Sequence, residues 1–199
     1  MTRQERSRVW AALLFLLLGG LQACSGLPRI VLLRDPLTPQ EHLTLGTSYQ
    51  EQGLRELAAK EFQAALSQQR EYAPALVGLG NLSFEAGSLK EAEEYYRQAL
   101  AVAPDDPSAT NNLAMVYLSR GERLEEAELL ARKALEQGGP LRPYVLDTLA
   151  GIYVRQGRYR EAKAALDDAE ALAPLENNIL RERLAALRRE LAARDSPTK

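Results

Sequence analysis

Between Leu45 and Ala169 one pattern of small and apolar positions is written four times. Leu45-Gly46-x-x-Tyr49, Leu79-Gly80-x-x-Ser83, Leu113-Ala114-x-x-Tyr117 and Leu149-Ala150-x-x-Tyr153 align, with second residues 34, 34 and 36 positions apart. Seven residues after each comes a glycine: Gly53, Gly87, Gly121 and Gly157. Beyond the glycines, Ala58, Phe62, Ala65; Ala92, Tyr96, Ala99; Ala127, Ala131, Ala134; and Ala162, Leu166, Ala169 come at helical spacing. A stripe of that period predicts a helix on each side of every glycine. A fixed period near 34 predicts helix hairpins stacked on one another, each burying a face its neighbour completes.

The residue types fit that arrangement. Gly46, Gly80, Ala114 and Ala150 let the first helix of a unit approach the second, and Ala58, Ala92, Ala127 and Ala162 do the same from the other side. Tyr49, Phe62, Tyr96, Tyr117 and Tyr153 are the large residues expected between units. The connecting glycines can take left-handed backbone at little cost. Thr38-Pro39-Gln40-Glu41 and Ser88-Leu89-Lys90-Glu91 both read as capping boxes, and Asp106-Pro107 as a cap followed by proline. Unit three carries an extra residue after Gly121, and Gly138-Gly139-Pro140 lengthens its exit.

The spacing resembles the tetratricopeptide repeat family, whose units run apolar-Leu-Gly-x-x-Tyr, Gly, Ala, Phe/Tyr, Ala, Pro, here over residues 39–174 with closing Pro104 and Pro174. The resemblance implies an all-α fold: a right-handed superhelical solenoid of about four hairpins with a C-terminal capping helix. That last helix is expected within residues 175–194, where Leu180, Leu184, Leu187 and Leu191 form one stripe that would cover the final unit. The same basic amphipathic helix could instead dock on a membrane surface or on peptidoglycan. Residues 195–199 read as a frayed tail.

Composition narrows the function classes. The chain is 46% hydrophobic and 26% charged with net charge -2, so no basic field draws nucleic acid. One Cys and one His exclude an internal disulfide and leave no Cys/His metal set. His42 is read as a packing or surface residue where the family often has Trp. Glu93-Glu94, Glu125-Glu126 and Asp167-Asp168 are adjacent on helices and do not converge. No catalytic constellation and no cofactor are expected.

The first residues carry an address. Arg3, Arg6 and Arg8 precede an apolar run over Val9–Leu21, too short to span a bilayer core that needs roughly 20 residues. Leu21-Gln22-Ala23-Cys24 resembles the lipobox of bacterial lipoprotein precursors. The resemblance implies a signal peptide over residues 1–23, acylation of Cys24, and a tether over 24–38. Ser25 stands where many inner-membrane lipoproteins carry Asp, which implies an outer-membrane, periplasm-facing location in the cell envelope. Ile30-Val31-Leu32-Leu33 could pack on the solenoid or pair with a partner.

In the family the first helices of the units line a concave groove that holds a peptide or partner protein. By register the candidate groove residues are Val77, Asn81, Phe84, Asn111, Asn112, Met115, Leu118, Asp147 and Arg155. Peptide-binding relatives use Asn at positions matching Asn81 and Asn112 to grip a ligand backbone, a task amides suit because each offers a donor and an acceptor. Val77, Tyr144 and Thr148 stand where some relatives clamp a terminal carboxylate with Lys and Arg, so no such clamp is expected. Val77, Phe84, Met115 and Leu118 would form an apolar floor, unless Phe84 and Leu118 pack between units instead. The reading is a lipid-anchored periplasmic adaptor. It resembles the outer-membrane lipoproteins that assist secretins of type IV pilus machines, with scaffolds for cell-wall hydrolases, exported peptidases or polysaccharide export as alternatives. A self-assembling solenoid, dimeric without ligand, is the competing class.

Overall fold

The computed structural model describes residues 36–195, and every regular element among them is helical. Cys24, the Ile30–Leu33 patch, the tether before Pro36 and the tail past Asp195 lie outside the described residues. Four hairpins come in order. They are α1 (Pro39–Glu51) with α2 (Arg55–Gln68), α3 (Ala73–Glu85) with α4 (Leu89–Val102), α5 (Pro107–Arg120) with α6 (Leu124–Glu136), and α7 (Arg142–Arg155) with α8 (Tyr159–Leu172). A 3-10 turn at Gly139–Leu141 absorbs the lengthened exit of unit three, and α9 (Asn178–Asp195) closes the array. The odd-numbered helices touch their next odd neighbours, α1 with α3 through α7 with α9, whereas the even-numbered helices do not draw together in this way. Helices that converge lie inside a curve, so α1, α3, α5 and α7 form the concave wall.

Helix ends obey local chemistry. Thr38 closes a reciprocal capping box: its hydroxyl accepts from Glu41 N while Glu41 Oε2 accepts from Thr38 N at 2.7 Å. Asp106 Oδ1 accepts from Ala109 N at 2.7 Å, and Pro107 opens α5. Ser88 departs from expectation, since its side chain makes no capping bond and α4 starts without a box. Gly53, Gly87, Gly121 and Gly157 all have positive φ, from 66° to 77°. After Gly121 the extra residue is taken up at Arg123, whose φ of 54° keeps α6 in register with its counterparts.

The hairpins close through aromatic rings seated on missing side chains. Phe62 of α2 is buried between Gly46 of its own unit and Gly78 of the next; a Cβ at either glycine would stand 2.6–2.7 Å from the ring. Tyr96 of α4 sits on Gly80 in the same manner, 2.5 Å from where a Cβ would be. The alanines opposite, Ala58, Ala92, Ala114, Ala127, Ala150 and Ala162, are fully buried. Each buried ring contributes roughly 1.5–3 kcal/mol of apolar transfer. Tyr49, at the open N-terminal end, is only half-buried.

Two of the three unit junctions carry the same polar clasp. Between units two and three, Arg97 and Arg123 donate to the Tyr117 hydroxyl at 2.9 and 3.0 Å, and that hydroxyl donates to Glu93 at 3.2 Å. Arg120 also holds Glu93 at 2.7 Å, and the Arg123 guanidinium lies 4.5 Å from the Tyr117 ring centre. Units three and four repeat it: Arg132 donates to Tyr153 at 2.7 Å, Tyr153 donates to Glu128 at 3.3 Å, and Arg158 stacks 4.4 Å over the ring. Burial pushes the Glu128 carboxyl up, but the bonds from Arg158 and Arg132 outweigh it and hold the group below its ordinary range. The junction between units one and two lacks the clasp, because Ser83 replaces the tyrosine.

α9 covers unit four as expected, with Leu180, Leu184 and Leu191 buried and Leu187 half-buried against the core. It also corrects one expectation. Asp147, assigned by register to the open groove, is 6% exposed and ion-paired to Arg183 of α9. The first helix of a repeat presents its groove side to whatever helix comes next, and here that helix is α9. No helix among the described residues is long and apolar enough to cross a membrane.

Gly80→Ala, which drives a methyl into the Tyr96 ring, is expected to lower unfolding free energy by about 1–3 kcal/mol in urea titration, with Tyr96→Leu in the same chain recovering part of it. Asp147 offers a second test. Burial raises its carboxyl above the ordinary 3.8, and Arg183 only partly offsets this. Stability from Asp147 is therefore fully present below its unfolded value and is lost as pH rises through the raised folded value. Carboxyl carbon NMR should find Asp147 titrating above ordinary aspartates, and Arg183→Met should move it higher still.

Candidate functional site

The concave wall holds a hollow of about 120 Å³ lined by Gln50, Asn81, Phe84, Glu85, Tyr96, Asn112 and Met115. A second, of about 260 Å³, shares Gln50 and Asn81 and continues along Leu43, Thr47, Val77 and Gly78 to Asp106 and Ser108 at the start of α5. Both belong to units one to three, where successive first helices face each other with no α9 laid across them.

Asn81 is the pivot. Its side-chain oxygen accepts from the Tyr96 hydroxyl at 2.9 Å and from Asn112 Nδ2 at 2.9 Å. Burial, with the Glu85 charge second, pushes the Tyr96 hydroxyl well above the ordinary tyrosine range, so it stays a donor. Two donors on one oxygen fix which way both amides turn. Asn81 is left with its NH2 group to offer and Asn112 with its carbonyl, the complement of one peptide unit. Phe84 and Met115 supply apolar surface beside the amides, and Val77 supplies it in the second hollow.

Of the residues singled out from the sequence, Asn81, Phe84, Asn112 and Met115 come together around the first hollow, and Val77 lies in the second. The others do not join them. Leu118 leans on α7, where its Cδ2 lies 3.0 Å from the position of a Cβ on Gly151, so it packs between units. Asn111 is 5% exposed, its Nδ2 against Met115 Sδ at 3.6 Å and its Oδ1 without a hydrogen-bond partner. Asp147 is occupied by Arg183, and Arg155 is exposed with its guanidinium over Gly121. His42 is buried, with Nδ1 2.7 Å from Glu61 Oε2.

Several lining residues were not read as site residues from the sequence, Tyr96, Asp106 and Ser108 among them. Tyr96 did carry a signal. Unit one has Phe at the matching place, and a tyrosine in a buried slot needs a partner for its hydroxyl. Among the described residues no cluster of three or more His, Cys, Asp or Glu could hold a metal ion.

Comparisons with known proteins agree with this architecture. The tetratricopeptide repeat family matches over residues 43–107, 86–143 and 144–174. The human protein O-mannosyl-transferase TMTC1 is 30% identical over 140 residues, 70% of this chain and 16% of that protein. Photosystem I assembly protein Ycf3 of Rippkaea orientalis is 40% identical over 67 residues, 31% of this chain and 39% of its own. The chain thus spans half or less of the length of the curated relatives it matches. Among solved structures, pilF of Pseudomonas aeruginosa superposes with TM-score 0.65 at 22% identity, covering 81% of this chain and 78% of that one. A thermophilic tetratricopeptide protein of Thermus thermophilus, TTC0263, gives 0.63 at 23%, covering 77% and 82%. With the repeats, the glycine turns and the ring-on-glycine packing all in place, this chain belongs to the tetratricopeptide repeat family.

Proposed function

We infer that the protein is a lipid-anchored adaptor of the cell envelope that holds an extended polypeptide in the groove of units one to three. Tetratricopeptide proteins are generally scaffolds for protein interaction rather than enzymes. The observation that carries the finer reading is the Asn81–Asn112 pair. Tyr96 and Asn112 together saturate one oxygen, and what remains is a donor and an acceptor facing a hollow floored by Phe84 and Met115. Extended backbone presents the matching acceptor and donor at every peptide unit.

The anchor rests on the Leu21-Gln22-Ala23-Cys24 motif after its short apolar run. Acyl chains on Cys24 would keep the chain on the membrane, and Ser25 favours the outer membrane facing the periplasm. Support for a role in assembling an envelope machine, of the secretin or pilus kind, comes from the motif joined to this fold. Ycf3, a relative over part of the chain, is itself named for assembly of photosystem I.

Two measurements test this. Crosslinked pull-down of the full lipidated chain should capture partners that Asn81→Ala/Asn112→Ala loses, with affinity for the captured segment reduced on the order of tenfold. Equal capture by both proteins overturns the groove. Separately, Cys24→Ser should move the protein from the membrane to the soluble fraction, and its staying on the membrane overturns the anchor.

A further inference from the structure

The chemistry of the groove floor specifies a class of occupant, an inference that rests on units one to three holding an extended polypeptide. Of the residues lining the two hollows, only Glu85 and Asp106 bear formal charge, and both are acidic; no Lys, Arg or His lines either one. Glu85 is 40% exposed and held loosely, by Gln50 Nε2 at 2.7 Å and Arg55 at 3.7 Å. Exposed pairs of that kind are weak and exchangeable. Asp106 keeps one oxygen on the α5 cap at Ala109 N, and the other makes no hydrogen bond among the described residues.

Asn112 offers an open carbonyl, with one N–H of its amide spent on Asn81. With Phe84, Met115 and Val77 beside these groups, the wall is negative and apolar at once.

We propose that the occupant is an internal, extended polypeptide segment in which apolar side chains are flanked by Lys or Arg. The apolar residues meet Phe84, Met115 and Val77, the backbone meets Asn81 and Asn112, and the cations meet Glu85 and Asp106. A C-terminal carboxylate is a poor fit, since nothing cationic lines either hollow to receive it.

The test uses short capped peptides with one alternating apolar core, flanked by Lys, by Ser or by Glu, titrated into the full chain in neutral detergent by fluorescence anisotropy. The Lys peptide should bind roughly fivefold more tightly than the Ser peptide and more tightly again than the Glu peptide, with the spread shrinking at high salt. Glu85→Gln/Asp106→Asn should remove the preference while leaving the fold intact, because Asn caps a helix as well as Asp. Should the Ser or Glu peptide bind as tightly as the Lys peptide, and Asn81→Ala/Asn112→Ala still weaken all three, the basic preference is wrong and the groove stands. A preference that survives Glu85→Gln/Asp106→Asn overturns the assignment to these carboxylates. If no peptide binds, or the asparagine variant binds as wild type does, the groove reading falls and takes this inference with it.

Discussion

The molecule depends on aromatic rings occupying the space of absent side chains. Phe62 lies in the slot left by Gly46 and Gly78, and Tyr96 in that left by Gly80, each closer than any Cβ would permit. That contact sets how near α2 comes to α1 and α3, and α3 to α4. Interior packing is dense enough that a single methyl there is felt. Because the inner helices converge and the outer ones do not, the spacing is passed on as curvature, and curvature makes a wall on which a segment could lie.

The candidate site borrows from that packing. Tyr96 is a core residue by its ring and a site residue by its hydroxyl, which reaches Asn81 from behind. A phenylalanine would fill the slot equally well but would leave Asn81 free to turn. The bond from Tyr96, with the one from Asn112, makes the amide pair a fixed pattern. Pre-set groups lose less freedom on binding than mobile ones. The groove and the core are consequently one construction.

Charge is distributed with the same dependence on position. Units two, three and four are joined by clasps in which a tyrosine hydroxyl links arginine to glutamate and a second arginine lies over the ring, while the first junction has Ser83 instead. The hollows run across that unclasped junction and the clasped one after it, lined chiefly by residues of α1, α3 and α5. At the other end Arg183 reaches Asp147 and α9 fills the place of a fifth inner helix. The groove is open over units one to three and covered where the array ends.

Much of the fold was legible along the chain because its signals are local and repeated. Gly53, Gly87, Gly121 and Gly157 mark turns that need positive φ, and the Ala and aromatic spacings mark faces, so the hairpins emerge from helical period alone. Thr38 and Asp106 cap as their types imply; Ser88 does not, since a matching quartet of residues does not guarantee the backbone angle a capping box needs. The site was legible only as a set of positions. Register put Asn81, Asn112, Asp147 and Leu118 on one wall, but a repeat register treats all units alike, and it cannot say that α9 would seize Asp147 or that Gly151 would draw in Leu118. Those outcomes turn on contacts between residues about 35 apart in the chain, where the side chain across the gap decides. By itself the sequence determined helices, hairpins and the sides they turn inward, because each depends on neighbours within a few residues. The tertiary structure alone decided which of the inward groups were already satisfied, since hydrogen bonds and packing across units are made only once the units have stacked.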